Sequence, residues 1–252
     1  MSSKEEEIVS ALFRNRLPHN SIVSIIYDTY SSAWMLGFAF LKREMDAGGF
    51  GSISNYNLPS PNLLRAGAWV GLNIVDELEK DNLIIIDVFG SKYNVRFDVK
   101  NLFYLENVDP ETINPKINVL YERIVLPKMH HRTVIRLVHT LDGAAFMLGE
   151  EVTLKLLNAT IAEKTRTMPE SVLVLPVNRD VVSRRFVAWV ASLSDYVIVA
   201  SSKLTDEGLK ETLHVVKAPF EDFEPTAYKL RATGKRAERL KIRKIGLNKG
   251  TL

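Results

Sequence analysis

The stretch VLVLPVNRDVVSRRFVAWVASLSDYVIVAS, residues 172–201, decides the fold. It opens on one apolar run, Val172–Val177, and closes on another, Tyr196–Ala200. Both runs are rich in β-branched residues and nearly continuous, the pattern of strands covered on both faces in a parallel sheet. The residues between them, Asp180–Ser192, are expected to form a helix. Strand, helix, strand in that order implies a right-handed crossover.

The same alternation extends outward along the chain. Ile22–Tyr27, Leu83–Phe89 and Thr133–His139 are further strand candidates, and Ser52–Asn55 is read as the second strand. Helices are expected over Ala33–Met45, with Ser31 and Ser32 available as caps, and over Pro61–Trp69, which carries proline early in its first turn. A longer helix is expected over Ala144–Glu163. Gly90–Pro127 is less regular and reads as an excursion between two central strands, with a short strand near Leu102–Leu105. From Leu213 onward the pattern changes to short alternating pieces, His214–Lys217, Tyr228–Arg231 and Arg239–Lys244, which suggest an antiparallel extension at one sheet edge. In the last piece Leu240 and Ile242 face one way, and Arg239, Lys241 and Arg243 the other.

These elements imply an α/β fold with a mostly parallel central sheet, helices on both faces and a short antiparallel C-terminal extension. No internal repeat or linker divides the 252 residues, so a single domain over 1–252 is expected: an acidic N-terminal helix at 4–16, a core at about 20–217, and basic strands and tail at about 227–252. There is no cysteine, which excludes disulfides, thiolate metal sites and cysteine nucleophiles. The first residues, MSSKEEEIVS, are acidic where a secretory signal would be basic and then apolar. No apolar run approaches the roughly 20 residues that span a bilayer. A soluble, cytoplasmic protein is expected.

Net charge is +3, unevenly spread. Lys229–Lys249 holds nine basic residues and one acid and carries +8, leaving −5 on the remainder. Such asymmetry is the footprint of a polyanion partner or of a solvated edge and tail. Lys235, Arg236, Arg239, Lys241, Arg243 and Lys244 are the candidate nucleic-acid or anion contacts.

Three phrases carry a family resemblance: LLRAGAWVGLNIVDELEKDNLIIIDVFG (63–90), LVHTLDGAAFMLGEE (137–151) and the 172–201 stretch. The chain resembles RecA-fold ATPases of the KaiC and RadA type, particularly small archaeal single-domain relatives. Gly71-Leu72-Asn73 with Ile84–Asp87, and Ala191–Ile198 with SLSDYVI at its core, match family phrases. The resemblance spans roughly residues 8–246 and implies a RecA-like three-layer sandwich.

It also implies where ATP chemistry would sit, and those positions have changed. A phosphate loop reads G-x-x-x-x-G-K-S/T, with glycines that let backbone N–H groups wrap the phosphates, a lysine that neutralises them and a hydroxyl that holds Mg²⁺. The corresponding residues here are Tyr27-Asp28-Thr29-Tyr30-Ser31-Ser32-Ala33-Trp34. Tyr27 and Ser32 replace the glycines, Ala33 the lysine and Trp34 the hydroxyl. Asp28 adds a negative charge; like charges about 4 Å apart repel by about 1 kcal/mol even in bulk water. The strand-end aspartate that would hold the metal is His139, a poor Mg²⁺ partner. The family's catalytic carboxylate would follow the second strand, where Tyr56-Asn57-Leu58 stand. The family's C-terminal lysine–apolar–arginine–glycine phrase is Lys244-Ile245-Gly246 here, without the arginine.

The expected function is therefore that of a non-hydrolysing RecA-fold binding, scaffold or regulatory subunit, with no cofactor and no metal, a protein partner or self-association, and no membrane. A nucleic-acid-binding recombinase paralogue using the basic C-terminus is the alternative. A third possibility is a different enzyme built from Asp28, Asp87, His139 and Asp142 at the strand ends. The bland readings are that Asp87 caps nearby N–H groups, that Ser31 and Ser32 cap a helix, and that Tyr27, Tyr30 and Trp34 fill the vacated pocket. His130 and His131 are adjacent and project to opposite faces of any strand, a poor metal pair.

Overall fold

The structure is a computed structural model and describes residues 8–13, 17–128, 132–232 and 240–245. Its centre is a sheet of parallel strands: β1 (Ser21–Tyr27), β2 (Phe50–Asn55), β3 (Leu83–Asp87), β4 (Leu102–Phe103), β5 (Val134–His139), β6 (Val172–Asn178) and β7 (Tyr196–Thr205). Three antiparallel strands extend it: β8 (Gly208–Lys217), β9 (Thr226–Ala232) and β10 (Leu240–Lys244). Among the described residues the order is β10-β9-β8-β7-β1-β6-β5-β2-β3-β4.

The continuous apolar runs sit in the middle of this order. β1, β2 and β3 are buried along their whole length, because helices cover both faces. On one face lie α1 (Ile8–Phe13), α2 (Leu36–Asp46), α3 (Ser60–Ala66) and α4 (Ile74–Glu79), packed over Ile25, Leu83, Leu137 and Ile198. On the other lie α6 (Ile113–Leu120), over Ile84 and Ile86, and α9 (Glu150–Thr167) with α10 (Arg184–Leu193), over Leu173 and Leu175. Two short helices at strand ends, α5 (Val88–Tyr93) and α8 (Leu141–Leu148), and a terminal turn, α7 (Leu126–Lys128), complete the set named here. This is the three-layer α/β sandwich with an antiparallel C-terminal extension.

Several local expectations shift. The single helix expected over Ala144–Glu163 is two, α8 and α9, broken at Gly149. That residue holds φ +89°, a conformation glycine adopts without a Cβ penalty. The helix expected over Asp180–Ser192 starts only at Arg184, capped by Ser183, whose hydroxyl accepts from Phe186 N. The preceding residues instead form a turn in which Asp180 accepts hydrogen bonds from Thr29. The irregular 90–127 excursion contains α6, which runs on through a π turn, Tyr121–Val125, into α7. The antiparallel extension begins earlier than Leu213, because β7 runs to Thr205 and turns back at once into β8.

Among the described residues no helix is long and apolar enough to cross a membrane. The N-terminal helix expected over 4–16 is described only as Ile8–Phe13; the rest of that segment, His130 and His131 lie outside the described residues.

Candidate functional site

Open α/β sheets place ligand sites beyond the carboxyl ends of their strands. Here Tyr27-Asp28 leave β1, Asn55 ends β2, Asp87 ends β3, His139 ends β5 and Asn178 ends β6. The chain after β1 makes a turn, Asp28 to Ser31, closed by Ser31 N donating to Asp28 O, and then a 3₁₀ segment, Ser32–Met35, that leads into α2. Ser31 caps this segment by accepting from Ala33 N at 3.2 Å.

The donors at this helix start point at a carboxylate of the same chain. Glu211, on β8, accepts from Ser32 N at 2.7 Å, from Ser32 Oγ at 2.9 Å and from Ser31 Oγ at 3.0 Å. Its side chain is buried, with the residue 7 % exposed. An anion at a helix N-terminus is stabilised by unpaired N–H groups and by the helix dipole. The donors of this turn thus meet an internal acid.

Asp28 is satisfied in a different way. It accepts from Ser202 N at 2.6 Å and from Ser202 Oγ, and pairs with Arg179 Nη2 at 3.2 Å. Arg179 also donates to Ser201 Oγ. Asp28 therefore ties the β1 turn to β7 and to the turn after β6.

The remaining positions sort by burial. Tyr27 is buried, and burial with the nearby Asp142 charge pushes its phenol well above the ordinary tyrosine range. Ala33 is fully buried. Trp34 is partly buried, edge-on to Phe38 with ring centroids 6.2 Å apart. Tyr30 is 75 % exposed and fills nothing. Of the three residues considered as filling this region, Tyr30 does not, Tyr27 and Trp34 pack on the core, and the donors of the turn meet Glu211, which sequence reasoning missed.

His139 is buried against Phe38, ring centroids 5.0 Å apart, and neither ring nitrogen has a hydrogen-bond partner. Burial lowers its pKa to about 4, so the imidazole is neutral. Asp142, at the start of α8, accepts from Asn178 N at 2.9 Å, and burial raises its pKa above the ordinary carboxylate value. Asp87 accepts from Asn55 Nδ2, Gly90 N and Ser60 Oγ, and caps α5. Each of these acids faces its own set of donors, so Asp28, Asp87, His139 and Asp142 form no common constellation. Among the described residues no group of three or more His, Asp or Glu side chains is arranged to hold a metal.

The basic C-terminal set divides. Lys241 and Arg243 project from one face of β10, opposite Leu240 and Ile242, which are buried in the core. Lys244 falls on the other face, in register with Tyr228. Lys235, Arg236 and Arg239 lie outside the described residues.

No protein-family model matches the chain, and no curated protein matches it by sequence. Solved structures do. A KaiC-like protein, PH0186, from the hyperthermophilic archaeon Pyrococcus horikoshii superposes with a TM-score of 0.70 at 15% identity, covering 97% of this chain and 100% of that one. The fold is KaiC-like. A second Pyrococcus horikoshii structure, the uncharacterized protein PH0321 in complex with an unknown peptide, superposes with a TM-score of 0.79 at 21% identity, covering 96% of this chain and 100% of that one. Both likenesses run through the KaiC-like core and the antiparallel extension together, since they span nearly the whole chain.

Proposed function

We propose that this chain is a non-hydrolysing KaiC-like protein that acts by binding, as a scaffold or regulatory subunit. The observation that carries this reading is the Glu211 carboxylate seated on Ser31 and Ser32 at the start of the 3₁₀ segment that leads into α2. A nucleotide phosphate entering that cradle would have to displace Glu211 or approach it as a like charge, and Asp28 lies beside it. Ala33 and Trp34 supply neither a neutralising cation nor a metal hydroxyl.

The ligand favoured is a protein segment. PH0321 was solved with a peptide, which supports that class. On this chain Tyr30 and Val181 are exposed on neighbouring turns at the carboxyl end of the sheet, joined through the Thr29–Asp180 hydrogen bonds. Exposed aromatic and branched side chains of this kind suit a protein contact.

The test is calorimetric titration with Mg-ATP beside a phosphate-release assay on the same protein. The expected result is no saturable heat and no turnover above the buffer rate. Tight, Mg²⁺-dependent binding with turnover overturns the proposal.

A further inference from the structure

The antiparallel extension has one face turned to the core and one turned out. Alternate residues of β8, β9 and β10 (Leu213, Val215, Tyr228, Leu230, Leu240 and Ile242) are buried in the core. Because side chains alternate across a strand, their neighbours share the opposite face. The pairing register states which neighbours stand side by side there.

Lys203 of β7 pairs with Lys210 of β8, and Arg231 of β9 pairs with Lys241 of β10. Continuing the β8–β9 register one residue past Glu211–Leu230 sets Lys210 beside Arg231. Four cations thus form one row across four adjacent strands. At about 4.8 Å per strand the row is about 14 Å long. The next row on the same face is Ser201, Thr212, Lys229 and Arg243, paired in the same way. The two rows are separated by two residues along each strand, about 7 Å.

Like charges placed directly opposite across strands destabilise a sheet. Lys210 has one local compensation, an ion pair with Glu207 at 2.7 Å at the hairpin tip. Lys203, Lys229, Arg231 and Arg243 are exposed. With Lys203, Lys229, Arg231 and Arg243 exposed on adjacent strands, this surface suits a ligand that carries a matching row of negative charge.

We infer that this sheet face binds the sugar–phosphate backbone of a nucleic acid. The inference goes beyond the non-hydrolysing reading and does not depend on it. Arginine, lysine, serine and threonine are the side chains that contact phosphate oxygens, and the two rows contain only these. Neither row offers an aromatic ring for base stacking, so the contact expected is with the backbone rather than with stacked bases. Neither row has an apolar side chain to insert into a lipid interface, which favours nucleic acid over an anionic membrane. On the strand that carries Lys210 the next residue, Glu211, points inward to the cradle, so the two surfaces lie back to back.

The experiment is fluorescence anisotropy of the full-length protein with labelled oligothymidylate and with a duplex of equal length, titrated at several salt concentrations. Binding is expected to weaken with salt with a log–log slope of about −3 on the single strand, the value for four to five phosphates neutralised. The Lys229→Glu/Arg231→Glu variant is expected to lose at least tenfold in affinity at low salt and to flatten the slope by about 1.5. Lys203→Glu, near the hairpin tip, gives a smaller loss and remains informative if the double variant fails to fold. Lys92→Glu, on α5 at the far edge, leaves affinity unchanged. No binding at low salt overturns the inference, as does binding that the Lys203 and Lys229/Arg231 variants do not alter. Preferential binding to phosphatidylserine vesicles over both oligonucleotides overturns it too. None of these results bears on ATP turnover, so the two proposals fail separately.

Discussion

The acids at the turn after β1, Asp28 and Glu211, and the polar side chains of β5, Arg136 and His139, are buried alike, yet they satisfy their polar atoms in opposite ways. After β1, the two acids Asp28 and Glu211 take up donors from four residues, Ser31, Ser32, Arg179 and Ser202. On β5, Arg136 leaves Nε and Nη1 without a partner and His139 leaves both ring nitrogens so. Arg136 rests its guanidinium 4.3 Å from the Tyr121 ring centroid, and His139 rests against Phe38. Buried polar atoms without partners are costly. The turn after β1 is therefore a cross-link that stabilises the join of β1, β7 and β8, whereas β5 carries a local deficit that the rest of the core offsets.

The sharpest way to break this comparison is to remove the acid. Glu211→Ala leaves Ser32 N–H and two hydroxyls without their acceptor, and stability is expected to fall by about 3–4 kcal/mol in urea unfolding. The same variant opens the helix start to solvent. Inorganic phosphate is then expected to raise the Tm of Glu211→Ala and not that of the wild type, through mass action on the folded state. Equal shifts in both proteins would mean that Glu211 does not occupy the cradle.

The second way uses pH. His139 titrates near 4 in the folded protein and near 6.5 when unfolded, so between those values the unfolded chain binds more protons. Stability from this group is fully present above about pH 6.5 and is lost as pH falls toward 4, by up to about 3 kcal/mol. His139→Leu is expected to flatten the pH dependence of urea midpoints across that window. Asp142 works in the other direction, because its raised pKa favours the fold at low pH and that gain is lost as pH rises above the ordinary carboxylate value. The comparison between wild type and variant isolates His139 from it. An unchanged profile would place the imidazole in contact with solvent.

The smallest effect is expected at Arg136. Replacing a buried, poorly paired guanidinium by a hydrophobic side chain of similar length is often neutral or stabilising. Loss of the contact with Tyr121 works against that gain, at about 1–2 kcal/mol. Arg136→Met is expected to move the thermal midpoint by only a few degrees in either direction. A loss comparable to that of Glu211→Ala would show that the β5 cation has a partner after all.

Much of the fold was legible in the chain because burial on both faces leaves a local trace. The apolar runs at 22–27, 83–89, 172–177 and 196–200 each became a central strand, except that Val88 and Phe89 open α5 instead of extending β3. Boundaries were less legible where a single residue changed the path. Gly149 breaks a helix that its apolar spacing would continue, and the Asn178–Asp180 turn delays α10 until Ser183. At the site, Tyr27, Ser32, Ala33, Trp34 and His139 were singled out by the resemblance, and the structure places them at the carboxyl ends of β1 and β5 and in the segment that leads into α2. The expected capping by Ser31 and the capping by Asp87 are both present. Glu211 gave no signal, since it falls between the last continuous apolar run and the alternating pieces that begin at Leu213, and its partners are remote in sequence.

The sequence by itself determined the layered α/β architecture, because apolar periodicity and turn residues act over a few neighbours. It also determined that the turn after the first strand reads Tyr27-Asp28-Thr29-Tyr30-Ser31-Ser32-Ala33-Trp34. Only the tertiary structure decided what those groups meet. Glu211 lies 179 residues from Ser32 along the chain and 2.7 Å from it in space. The row from Lys203 to Lys241 likewise exists only once four strands are in register. Hydrogen bonds and charge pairs of this range depend on how the sheet is ordered, and strand order is a property of the packed molecule rather than of any segment.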